Sequence, residues 1–162
     1  MAEFRMTGGC QCGAVRYALH EVPTNPHICH CRMCQKAFGS FFAPLVHVPI
    51  KSFELTRGEL AIFMSSDTTE RGFCGDCGTP LTYEYPGGVE LAIGAFDEPE
   101  RAAPTIQVNP ANKLSFVDGL SALPFRDPVA EPGPEAFKAT VVSHQHPDHD
   151  TTVWPLQEGH HG

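Results

Sequence analysis

The chain has 162 residues, enough for one domain with its own buried core, so small size alone does not demand a metal. Apolar residues make up 41% and charged residues 19%, a composition that excludes a disordered chain. The formal net charge is −8, and the 11 basic residues are scattered, which leaves no basic face for nucleic acid.

The N-terminal MAEFRMTGG lacks the apolar core of a signal peptide, and no apolar run reaches the roughly 18 residues of a membrane span. The expected compartment is the cytoplasm, with no membrane partner. In that reducing setting seven cysteines read as metal ligands or reactive thiols, and their odd number argues against a full disulfide set. AVRYAL (14–19), FFAPLVHV (41–48), ELAIFM (59–64), LTYEY (81–85) and VELAIG (89–94) read as strands, with a hairpin turning at Pro86-Gly87-Gly88. RMCQKAF (32–38) predicts a turn or two of helix, and DEPER (97–101) another. Phe38, Phe41 and Phe42 are expected in the core. The fold class is therefore mainly β, with antiparallel pairing and short helices. From about Pro128 the chain turns Pro-rich and then His-rich, so we divide it into a domain, 1–127, and a C-terminal extension, 128–162.

The cysteines fall into two doublets and a triplet. Cys10/Cys12 and Cys74/Cys77 each end in Cys-Gly. In a zinc knuckle the residue after the second thiolate sits at positive φ, where glycine is least strained. Two such doublets supply four thiolates to one structural Zn²⁺ and tie the start of the domain to its middle, with 61 residues between them. The alternative is buried thiols without a metal. In an extended segment Cys29 and Cys31 share a face, and Cys34 can swing back onto it from the next helical turn, while His30 points the opposite way. Three protein thiolates with one position open is how a catalytic zinc is built; the alternative is a closed structural site completed by a histidine such as His27 or His47.

GGCQCGAVRY, CHCRMCQKAFGSFF and RGFCGDCGTPLTY together resemble the glutathione-dependent formaldehyde-activating family, which includes centromere protein V. The likeness runs over about residues 7–127, and PTIQV and SFVDGLSALPF share it. It implies the β-tent fold, a structural zinc on Cys10, Cys12, Cys74 and Cys77, and a second, catalytic and labile zinc on Cys29, Cys31 and Cys34. It also implies a carbon–sulfur lyase that works on the adduct of glutathione and formaldehyde. Glutathione would enter as cosubstrate, and its two carboxylates need cationic partners, for which Arg32, Lys36 and Arg71 stand nearest the cysteines in sequence. Gly39-Ser40 offers either backbone donors or a plain turn. Two other classes fit the same residues: a zinc-stabilised binding module, and a thiol-redox or metal-handling protein.

The tail carries His144, His146, Asp148 and His149 in the pattern H-x-H-x-D-H, the dinuclear signature of metallo-β-lactamases. Only 13 residues follow His149, too few for that fold. What remains is a small metal site of its own, or a polar tail whose Trp154 and Pro155 dock on a groove of this chain or of a second copy, giving a homo-oligomer.

Overall fold

The structure is a computed structural model that describes residues 5–127, 129–130 and 132–155. Among them the strands are β1 (Met6–Gly9), β2 (Arg16–Leu19), β3 (Thr24–Cys29), β4 (Ala43–Val48), β5 (Phe53–Arg57), β6 (Ala61–Met64), β7 (Glu70–Phe73), β8 (Pro80–Tyr85), β9 (Gly88–Ala92) and β10 (Ile106–Val108). The helix α1 (Arg32–Phe38) follows β3, and α2 (Pro132–Lys138) lies in the C-terminal stretch. A three-stranded sheet runs β1-β2-β5, and a seven-stranded sheet runs β10-β3-β4-β9-β8-β7-β6. The protein is thus mainly β, as its strand-rich runs predict. DEPER forms only a 3₁₀ turn at Pro99–Ala102.

Pairing is antiparallel with one exception. β10 lies parallel to β3: the chain leaves β9 in the middle of the sheet and passes β4 and β3 to reach that edge. Neither strand is obvious in the sequence. β3 contains Asn25 at φ 55 and Pro26, which read locally as a turn; a register shift between Thr24 and His27 absorbs them at the strand's start. β4 is apolar at every position but His47, because both its faces are covered.

Those two faces organise the molecule. Val46, Val48, Val89 and Leu91 meet Tyr17 and Leu19 of the small sheet in the main core, which also holds Cys10 and Cys74. Ala43 and Leu45, on the opposite face, form a smaller cluster with Cys29 and Cys34 of the α1 region. Phe38 packs against this cluster. Phe41 does not: it is 44% exposed and stands edge-on to Phe116, a correction to its expected core position. It follows Gly39-Ser40, which carries the chain off the end of α1. Among the described residues no helix is long and apolar enough to cross a membrane.

Candidate metal centres

Each outer doublet closes on itself in the same way. Cys10 N–H donates to Val15 O and Gly13 N–H to Cys10 O; Cys74 N–H donates to Thr79 O and Gly78 N–H to Cys74 O. Gly13 and Gly78 sit at φ 79 and φ 78, where a side chain would strain the turn. Gln11 N–H reaches across to Thr79 Oγ1 at 3.0 Å and joins the two loops. The ligand atoms of Cys10, Cys12, Cys74 and Cys77 all lie within 4.8 Å of one another. A zinc–sulfur bond of about 2.3 Å sets the corners of a tetrahedron about 3.8 Å apart. The Cys10–Cys12 and Cys12–Cys74 sulfurs are 3.6 and 3.8 Å apart, so this donor set fits a tetrahedral ion. Burial drives the Cys12 and Cys74 thiols up. Burial acts on Cys77 too, but hydrogen bonds from the Thr79 hydroxyl and nearby N–H groups outweigh it and draw this thiol down to about 6. A thiolate is therefore at hand to receive a metal.

The triplet also converges: Cys29, Cys31 and Cys34 place their sulfurs within 4.8 Å of each other. Cys29 ends β3, Cys31 caps α1, and Cys34 lies one turn into the helix. Each sulfur accepts an N–H. Asn109 Nδ2 donates to Cys29 at 3.2 Å, Cys34 N–H to Cys31 at 3.4 Å, and Arg71 Nη2 to Cys34 at 3.4 Å. Burial pushes the Cys34 thiol up to about 12 despite the Arg71 bond. For Cys31, burial is outweighed by donors from Cys34, Cys29 and Met33, and this thiol is lowered. Among the described residues no histidine or carboxylate joins the three sulfurs. His30 is fully buried on the other side, with Nε2 2.8 Å from Gln107 Oε1. His27 takes Asn25 O and faces Glu90, and His47 meets the Tyr85 hydroxyl.

Arg32, Lys36 and Arg71 line one open cavity of about 360 Å³ with Met33, Ala37, Phe63 and Ser65. Arg32 and Lys36 are exposed on α1, Arg32 touching Gln35 Oε1 at 3.0 Å. Arg71 is different: it is 7% exposed, donates from Nε to Ser65 at 3.0 Å, and lies over the Tyr83 ring at 4.6 Å. The register explains this floor. His47, Glu90, Tyr83, Arg71 and Phe63 are successive partners across β4, β9, β8, β7 and β6, so they share the face that carries the triplet. Burial raises the Glu90 carboxyl, with His27, His47 and Arg71 pulling the other way. Gly39 and Ser40 spend their N–H groups on Lys36 O and Gln35 O, which makes them the turn that ends α1.

The tail histidines do not assemble a third centre among the described residues. His146 is buried against Gly13, with Nδ1 2.8 Å from Pro147 O and Nε2 3.0 Å from Thr151 Oγ1, so both ring nitrogens are engaged. Instead residues 146–154 lie across the first cysteine loop of the same chain. His146 N–H donates to Gln11 O, Asp150 accepts from Arg16 at 2.9 Å, and the Trp154 indole N–H donates to Cys12 O at 2.9 Å. Arg16 in turn holds Asp97 through two bonds of 2.8 and 2.6 Å. The terminal Gly-His-His-Gly lies outside the described residues. Asn109 and the Arg16–Asp97–Asp150 network escape sequence reading; the Asn-Pro pair at 109–110 signals a turn but not a sulfur donor.

A crystal structure of a Rhodobacter sphaeroides protein, a structural-genomics target, is similar at 19% identity with a TM-score of 0.49, covering 64% of this chain and 100% of that one. A likeness of that size bears on neither fold nor activity. The profile described as "Glutathione-dependent formaldehyde-activating enzyme" matches residues 5–111. All seven cysteines and the residues that bond their sulfurs lie inside that match, and the chain belongs to the glutathione-dependent formaldehyde-activating enzyme family.

Proposed function

We propose that this chain is a zinc-dependent enzyme of the carbon–sulfur lyase type, joining the glutathione thiol to formaldehyde or a related aldehyde as an S-hydroxyalkyl thiol. One observation carries the reading: three sulfurs converge, one fewer than a tetrahedral ion takes, and the residues around them open onto a cavity with two exposed cations. Zinc held by Cys29, Cys31 and Cys34 would supply a soft Lewis acid that favours the deprotonated form of a substrate thiol.

The protein's own residues do the rest. Arg32 and Lys36, one helical turn apart on α1, receive glutathione's two carboxylates. Met33, Ala37 and Phe63 line the same cavity and give the bound tripeptide an apolar wall. The thiol gives up its proton, the sulfur adds to the aldehyde carbon, the carbonyl π pair moves to oxygen, and oxygen takes up one proton in place of the one the thiol released. The addition is redox-neutral and consumes no electron carrier.

The test is an exchange NMR assay of S-hydroxymethylglutathione formation with zinc-loaded protein. Acceleration over the spontaneous reaction, abolished by Cys29→Ser and by Cys34→Ser, is the expected result. A rate equal to the protein-free control defeats the reading.

A further inference from the structure

Three thiolates and a divalent ion leave one net negative charge, and a buried net charge is costly unless a counter-charge is held against it. The triplet is buried or half-buried, and a guanidinium reaches one of its sulfurs. Arg71 comes from β7, 37 residues beyond Cys34. Its Nε is fixed by Ser65 and its face by Tyr83, while Nη2 points at Cys34. A group pinned on several sides is ill suited to swing out and clasp a substrate carboxylate. Asn109 is held as firmly. It directly follows β10, adopts φ 57, and aims Nδ2 at Cys29. Asparagine is the side-chain-bearing residue that best tolerates that backbone region while offering an N–H.

We infer that Arg71 and Asn109 are positioning residues of the three-cysteine centre: they offset its negative charge and lower the donor strength of Cys34 and Cys29, and Arg71 is not a glutathione clasp. The inference rests on reading this centre as a zinc site. Metal binding to three thiols turns a neutral cluster into an anionic one, so removing the adjacent cation weakens retention of the ion. It also leaves the thiolates richer in electrons. The four-cysteine centre provides an internal control, since its sulfurs accept from Val15 N–H and lie beside the Thr79 hydroxyl instead.

The experiment follows zinc transfer from the full-length, loaded protein to a chromogenic chelator, together with the thiolate-to-metal charge-transfer band of the cobalt-substituted form. Arg71→Met should speed release of the three-cysteine ion about tenfold or more and move the band to lower energy. Arg71→Lys, which keeps the charge, should recover most of both. Asn109→Gly keeps a backbone that accepts φ 57 and removes only the donor, and should act in the same direction by a smaller factor. The four-cysteine ion should leave at its original rate in every variant. The inference falls if Arg71→Met leaves release and band unchanged while raising KM for glutathione. It falls equally if both ions are loosened together, which would mark a general weakening of the fold. Neither readout needs turnover, so a wild-type protein that fails to join glutathione to formaldehyde would defeat the proposed reaction and leave this inference standing.

Discussion

The two cysteine centres differ in what surrounds them more than in how they are made. The quartet belongs to the main core, is stitched between two like loops, and has residues 146–154 laid over one of them. The trio sits on the opposite face of the long sheet in a small cluster, beside an open cavity, with charged and amide side chains reaching its sulfurs. A site stitched between two paired backbone loops of the main core favours permanence. A site with side-chain donors and an opening favours exchange and contact with a substrate. The same ligand chemistry thus stands in two different settings, and the difference lies in packing.

The largest expected effect separates the two centres directly. Cys74→Ser should abolish cooperative unfolding, because binding of a structural zinc contributes about 10 kcal/mol or more to folding. Cys29→Ser should fold with near-native circular dichroism and lose one zinc. Equal damage from both substitutions would erase the distinction.

Next is the ion pair behind the first loop. Arg16 and Asp97 are 3% and 7% exposed, so Asp97→Asn, which strips Arg16 of its main partner, should cost about 3 kcal/mol in urea unfolding. The pH dependence has a definite sign. Burial would raise the Asp97 carboxyl, but bonds from Arg16 and Thr7 overcome it and hold the group below its ordinary value. Its contribution is therefore complete above about pH 4, the unfolded value, and is lost as pH falls through the lower folded value. Asp97→Asn should flatten that acid limb of the stability curve; an unchanged limb would assign it to other carboxylates.

The tail contacts are smaller. Trp154→Phe and Asp150→Ala should each cost about 0.5–1 kcal/mol, Asp150 being partly exposed, and each should speed chelator capture of the four-cysteine ion without touching the other. The smallest effects belong to the cavity rim. Arg32→Ala and Lys36→Ala should leave stability within about 0.5 kcal/mol. On the proposed function each should raise KM for glutathione roughly fivefold, about 1 kcal/mol of charge-assisted bonding.

Much of the site is legible locally. The glycines after Cys12 and Cys77, the shared face of Cys29 and Cys31, and the return of Cys34 from the first turn of α1 all follow from neighbouring φ and ψ. β3 and β10 are not legible, because one begins with Asn-Pro and the other is three residues whose parallel partner lies far back in the chain. Nor could spacing tell that Arg71 is buried while Arg32 and Lys36 are exposed, since all three look alike as cations near cysteines.

By itself the sequence determined the division of seven sulfurs into four and three and the small loops that present them, because those geometries span only a few residues. Tertiary structure alone decided that Arg71 is buried against Cys34, that Asn109 stands 80 residues from the sulfur it serves, and that Trp154 comes to rest on Cys12. The physical reason is that such meetings depend on sheet register and on burial. Burial is a non-directional force that specifies how much apolar surface is hidden but not which remote residues are hidden together.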